Sequence, residues 1–286
     1  MAIELRECAG IAQFNTGSSK CLLDPGKVKA IILTMHGYKL PANATAELLE
    51  AACHDDRPNR IFPIKTIIEY APSGGEANKN AVGYGPNKIT SYSAKDDVWT
   101  VDEYDASLKA NIMANIMAAK GVAFDAYFVD ENNVVYGMND GTDILAGIPL
   151  AGIYPGGQDW DSSGTEANLT VGTMFKNYEK YVKNADYRVY KFDVVEALKG
   201  LVYVELVKLD TGENNYKLKE HFGNLDVTSF FGAVLAEGAT TCFDGEVSAV
   251  KFENGNLVIT ATGTPSLKSP KVLQENGVVG IEQWKA

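Results

Sequence analysis

Apolar positions along the chain recur mostly in short runs with the two-residue period of strands, and in two places with the period of a helix. Lys27–Met35 and Ile61–Tyr70 predict the first two strands, with Pro63 near the start of the second, where a missing N–H is tolerated. Between them, Thr45–His54 predicts a short helix that sets Ala46, Leu49 and Cys53 on one face and is closed by Asp55, Asp56 and Pro58. Ala71–Gly85, with Pro72, Gly74, Gly75 and Gly83 closely spaced, reads as a long exposed loop. Thr100 and Glu103 have capping-box spacing, and Tyr104, Leu108, Ile112 and Ile116 recur every four residues, which predicts a helix over 101–120.

Strands dominate the rest of the chain. Val122–Val129 and Val134–Gly137 flank Asp130-Glu-Asn-Asn133 as a hairpin, and Ile144–Tyr154, Asn168–Phe175 and Asp186–Val194 alternate with Gly- and Asp-rich turns. After a boundary near Glu196–Gly200, Leu201–Leu209, Leu225–Phe231, Val247–Phe252 and Leu257–Thr262 predict a second β unit. Its clearest turn is Glu253-Asn254-Gly255, because Asn-Gly supplies the positive φ angles of a tight hairpin. The pattern gives an N-terminal arm over 1–27, a main β domain over 28–195 and a C-terminal β domain over 196–286. The fold class is mainly β (α+β), a β-sandwich or barrel with one long packed helix.

Composition narrows the function. The chain has 286 residues, 45% of them hydrophobic, and a formal charge of −11. Arginine occurs only at Arg6, Arg57, Arg60 and Arg188, so no basic stripe is available to neutralise phosphates. A carboxylate-lined passage would instead repel a duplex and let it slide. Neither a basic, apolar leader nor an apolar run of spanning length occurs, and the expectation is assembly in a reducing cytoplasm without a membrane. Cys8, Cys21, Cys53 and Cys242 are scattered and form no C-x-x-C pair.

Candidate chemistry is sparse. His36, His54 and His221 stand in no metal-ligand spacing, and Cys53 beside His54 on a helix points elsewhere. There is no G-x-S-x-G elbow and no phosphate-binding glycine motif. Asp159, Asp161 and Ser163, followed by Gly164, match the opening of a calcium loop, but its twelfth position is Thr170 rather than a glutamate. The expectation is therefore no enzyme, no catalytic residue, no cofactor and no metal beyond that weak calcium candidate. Trp99, Trp160 and Trp284, with Tyr84 and Tyr92, are either core or contact aromatics. Gly74, Gly75, Tyr84 and Trp160 are the candidate interface residues.

The runs FDAYFVDENNVVYG, NDGTDILAGIPL and LTVGTMFKNYEKYVKN, with the C-terminal GTPSLKSPKVLQENGVVGIE, resemble virion structural proteins of Bacteroidetes phages, commonly of the tail-tube type. That resemblance implies subunits joined edge to edge into hexameric rings that stack as a conduit for DNA, with the chain itself and other virion proteins as partners. A capsid decoration or connector-ring protein, and a carbohydrate- or partner-binding β module, are the alternative readings.

Overall fold

A computed structural model describes residues 25–41, 43–81, 83–102, 108–109, 112, 123–139, 141, 144–162, 164, 167–210 and 214–284. The expected arm before Lys27, apart from its last residues, lies outside the described residues. In chain order the structure contains β1 (Val28–Met35), β2 (Lys39–Leu40), α1 (Ala46–His54), β3 (Ile61–Ile64), β4 (Ile67–Gly74), β5 (Ala77–Asn80), β6 (Lys88–Tyr92) and β7 (Lys95–Asp102). Next come β8 (Phe124–Asp130), β9 (Val134–Asn139), β10 (Leu145–Ala146), β11 (Ile148–Asp159), β12 (Asn168–Phe175), α2 (Tyr178–Asn184), β13 (Ala185–Val189) and α3 (Val194–Ala197). The C-terminal body is β14 (Val202–Lys208), β15 (Asn215–Glu220), α4 (Thr228–Gly238), β16 (Phe243–Asp244), β17 (Val247–Glu253), β18 (Asn256–Ala261), β19 (Ser266–Leu267), α5 (Pro270–Glu275) and β20 (Ile281–Gln283). The fold is mainly β.

An 11-stranded sheet forms the first body; one path through it runs β4-β7-β12-β11-β8-β1-β3, and another runs from β8 through β9 and β10 to β2. The edge of β8 opposite β1 is shared between two strands: Phe128 and Val129 pair with β9, whereas Ala126 and Asp125 pair with β11. The sheet forks there. Both faces at the fork are buried, since Ile32, Tyr127 and Val129 enter one apolar cluster while Ile31, Leu33, Ala126 and Phe128 enter another. Strands buried on both sides read as unbroken apolar runs, as Ala30–Leu33 does. Helix α1, capped by Thr45 and burying Leu49 and Cys53, covers the first face together with α3.

The C-terminal body has its own apolar cluster, from Val204 to Ile281, beneath a five-stranded sheet ordered β17-β18-β15-β14-β20. It meets the first body through α1 and the segment between α1 and β3. His54, fully buried, donates from Nδ1 to the Glu50 carbonyl and accepts the Gly280 N–H on Nε2. Arg60 pairs with Glu282 at 2.6 Å, and Lys271 with Asp55 at 3.0 Å.

Several expectations need correction. Thr100 caps no helix: Lys95–Asp102 is strand β7, buried at every second residue, and Thr and Val within it favour extended backbone. Within the expected helix 101–120, Leu108 and Lys109 are helical and Ile112 is buried; 103–107, 110–111 and 113–120 lie outside the described residues. The strand expected over Ile61–Tyr70 breaks at Thr66, whose φ is 58°, into β3 and β4. Leu225–Phe231 turns into α4 rather than a strand, because the Asp226 carboxylate accepts the Thr228 N–H and starts a helix that buries Gly232 and Leu235. Asp186–Val194 ends as a strand at Val189 and starts α3 at Val194 under an Asp193 cap. The turns at Asp130–Asn133 and Asn254-Gly255 form as expected, with Asn133, Asn254 and Gly255 at positive φ.

Candidate assembly surface

The segment expected as an exposed loop over Ala71–Gly85 is exposed, but as far as Asn80 it is one arm of a β-hairpin reaching from Ile67 to Asp102, and 83–85 form part of its turn. Pro72 is accommodated because β4 is an edge strand, and the glycines mark a twist rather than an end to the ladder. Strand β4 pairs with β7 from Ile67–Val101 to Gly74–Lys95, with a bulge between Ile67 and Glu69. The ladder then passes through Gly75 N–H to Ala94 O at 3.1 Å and Ser93 N–H to Glu76 O at 2.9 Å, and resumes as β5 on β6. Gly74 and Gly75 have φ of 72° and 84° at the point of departure. A Cβ on Gly74 would collide with the Ala94 carbonyl oxygen, and one on Gly75 would lie 2.9 Å from the Tyr178 ring, so both positions require glycine.

The root of the hairpin is rigid. Trp99 is stacked between Tyr70, at 4.5 Å, and Phe128, at 5.0 Å, and its indole N–H donates to Thr173 Oγ1. Lys95 and Asp97, both buried, pair at 2.6 Å, and the Tyr70 hydroxyl donates to the same carboxylate oxygen. Burial opposes the Lys95 charge, but the hydrogen bond and charge of Asp97 outweigh it and hold the ammonium above its ordinary value. Tyr178 on α2, capped by Asn177, packs edge-on against Tyr92 and Phe175 and braces the base.

Beyond Gly74 and Lys95 the hairpin leaves the sheet, and β5 and β6 continue as two strands alone. Its side chains face water: Ile89 is 57% exposed, Tyr84 at the tip is fully exposed, and Ile68 on the outer face of β4 is 56% exposed. Strand β4 is also a sheet edge, laddered to β7 on one side only; β3 and β13 are edges elsewhere in the same sheet.

Trp160, 74% exposed, stands at the opposite end of the same strands. Register shows this, because Asp159 pairs with Asn168 and Asn168 with Asp102, whereas the ribbon departs at Lys95. The four candidate interface residues are thus split into a ribbon with Gly74, Gly75 and Tyr84 at one end and Trp160 at the other. Trp99, read from the sequence as a core or contact aromatic, is core; Ile68, Ile89 and the Lys95–Asp97 pair are not singled out by the sequence. For Lys95 and Asp97 the signal is the alternation in KDDVWTVD, which a capping-box match obscured.

Of the calcium candidates, Asp161 is exposed, while Ser163 and the Asp159 side chain lie outside the described residues. Among the described residues no cluster of His, Cys, Asp and Glu could hold a metal. Cys53 and His54 form no pair: the imidazole is committed to Glu50 and Gly280, and burial pushes the Cys53 thiol up to about 12. No described helix is long and apolar enough to cross a membrane.

No family model matches the sequence, and neither does any curated protein. Among solved structures, the cap that terminates the tube of the anti-feeding prophage, determined by cryo-EM, overlaps 62% of this chain and 100% of its own. The identity is 10% and the TM-score 0.26, a likeness too loose to carry an argument about fold or role.

Proposed function

We propose that this chain is a self-assembling structural protein of a phage-type particle, in the form of a tail-tube subunit, and that it has no catalytic role. The observation that carries the reading is the ribbon that leaves the sheet at Gly74 with exposed apolar side chains. A two-stranded ribbon with exposed apolar side chains is only weakly stabilised in water, and a surface supplied by a neighbour would cover them. Strand β4 offers an unladdered edge of eight residues for pairing with another copy.

The contact surfaces lie at opposite ends of one sheet, which favours a head-to-tail arrangement. The ribbon of one ring would reach the Trp160 end of the next, while β4 pairs laterally within a ring. A charge of −11 suits a passage that DNA traverses without sticking. The resemblance of the run from Val122 to Tyr190 to phage virion proteins supports the same reading.

Negative-stain microscopy and sedimentation velocity of the full chain at rising concentration test it. Rings, six-fold for a tail tube, or stacked tubes are expected. Rings of another symmetry without stacking would move the chain to the capsid or connector. A species that stays monomeric at every concentration would sink the assembly reading.

A further inference from the structure

The two ends of the sheet that carry the ribbon and Trp160 differ in charge. In a chain of formal charge −11, Ala77–Lys95 contains no Asp or Glu. Glu76, at the base of the ribbon, is committed to Ser93, whose hydroxyl donates to the carboxylate at 2.6 Å and accepts the Glu76 N–H at 2.9 Å. Beyond it, Lys79 on β5 and Lys88 on β6 are exposed, and neither ammonium makes a hydrogen bond or ion pair with a described residue. The adjacent cross-strand pairs Lys79–Ile89 and Asn80–Lys88 put the two lysines on opposite faces of the ribbon. At ~3.3 Å per residue Lys79 stands ~13 Å past Gly75, and a Debye length of ~10 Å leaves it weakly coupled to Asp96 and Asp97 of its own sheet.

The opposite end of the same strands has the other sign. Asp102 closes β7, and Asp161 follows β11 beside the exposed Trp160. Neither carboxylate has a hydrogen-bond or ion-pair partner among the described residues. Lys65, which precedes β4 at this end, is turned to the Leu198 carbonyl at 3.0 Å. In sequence, 102–105 and 159–166 also hold Glu103, Asp105, Asp159 and Glu166 and contain no lysine, arginine or histidine.

We infer that the Trp160 end of a second copy of this chain receives the ribbon by charge, with Lys79 and Lys88 against the Asp102 and Asp161 carboxylates and Tyr84 and Ile89 covering Trp160; this rests on the assembly reading above. The charges also fix polarity. Head-to-head stacking would oppose two lysine-bearing ribbons, tail-to-tail stacking would oppose two acidic ends, and only head-to-tail stacking pairs opposite signs. Complementary charge sets which surfaces meet and weakens with salt. Ring stacking is then salt-sensitive, whereas lateral pairing through the main-chain edge of β4 is not.

Sedimentation velocity and negative-stain microscopy of the full chain at about 50 mM and about 500 mM sodium chloride test it. Tubes are expected at the lower concentration, and at the higher a roughly tenfold smaller tube fraction with rings retained. Lys79→Glu with Lys88→Glu, or Asp161→Lys alone, should each cut stacking about tenfold at low salt. All three changes in one chain restore opposite signs and should return the tube fraction to within about twofold of the parent. The three positions are exposed, so the monomer melting temperature of each variant should match the parent. The inference is overturned by tubes that persist equally at both salt concentrations, by parental stacking in the charge variants, by a combined variant no better than either alone, or by rings that never stack. Ring assembly survives each of those results. A parent chain that forms neither rings nor tubes would overturn the assembly reading, and this inference with it.

Discussion

His54 Nε2 accepts the Gly280 N–H across 226 residues of sequence, at 3.0 Å and with the imidazole fully buried. One side chain at the end of α1 thus satisfies the backbone of the loop before β20 and helps join the two bodies. His54→Leu removes the acceptor and leaves the partly buried Gly280 N–H unpaired. The expected loss is roughly 1–3 kcal/mol in urea unfolding. If unfolding proves to be two transitions, the one assigned to the C-terminal body should move. An unchanged midpoint would show that the Arg60–Glu282 pair and the α1–α5 packing suffice without it.

Lys95 and Asp97 form the buried pair at the hairpin root. Lys95→Met keeps most of the stem but leaves the carboxylate with only the Tyr70 hydroxyl, and should cost ~3–5 kcal/mol. Pairing it with Asp97→Leu removes both charges together, and the double variant should recover most of the loss, as measured by thermal melting of all three variants. Destabilisation that simply added across the two sites would mean that the pair is not an energetic unit.

The sequence was legible wherever a single pattern dominated. Asp130–Asn133 and Asn254-Gly255 are local turns whose chemistry is complete within four residues, and both formed as expected. The hairpin arm was missed because Pro72 and four glycines between 74 and 85 signal a loop, whereas the edge position of β4 and the twist at Gly74-Gly75 let a ladder run through them. Thr100 illustrates a competition: the capping-box spacing to Glu103 was satisfied, but alternate burial from Lys95 to Val101 holds the segment as strand. The His36–Asp125 contact joins residues 89 apart in the chain, and no local spacing could announce it.

Asp226 gives the acid-side prediction. Hydrogen bonds from Lys217 and Thr228, with the charge of Lys217, hold its carboxyl below the ordinary 3.8, at about 2. A depressed folded-state value means the carboxylate stabilises the fold above about pH 4, and the contribution is lost as pH falls through about 2. The group is partly exposed, so solvent screens the effect and the change is modest. Asp226→Asn should flatten the fall in melting temperature between pH 4 and 2 relative to the parent chain. Parallel curves would assign the acid sensitivity elsewhere.

The ribbon separates folding from assembly. Replacing Glu76–Ser93 with Asn-Gly closes the hairpin directly between Gly75 and Ala94, keeping the whole β4–β7 ladder, Trp99 with its stack, and the Lys95–Asp97 pair. The residues removed are mostly exposed and contribute little to any apolar cluster, although Tyr92 loses its edge contact with Tyr178. The melting temperature of the monomer should therefore fall by only a few degrees, corresponding to ~1 kcal/mol or less. Stacking between rings should be abolished, because the surface that reaches from one end of the sheet toward the Trp160 end of another copy is gone. Lateral pairing through β4 should survive, so sedimentation should show single rings in place of tubes. Tubes of normal length from the excised chain would show that the ribbon does not bridge rings. Loss of the folded monomer would instead make it part of the fold, with its exposed apolar side chains still unaccounted for.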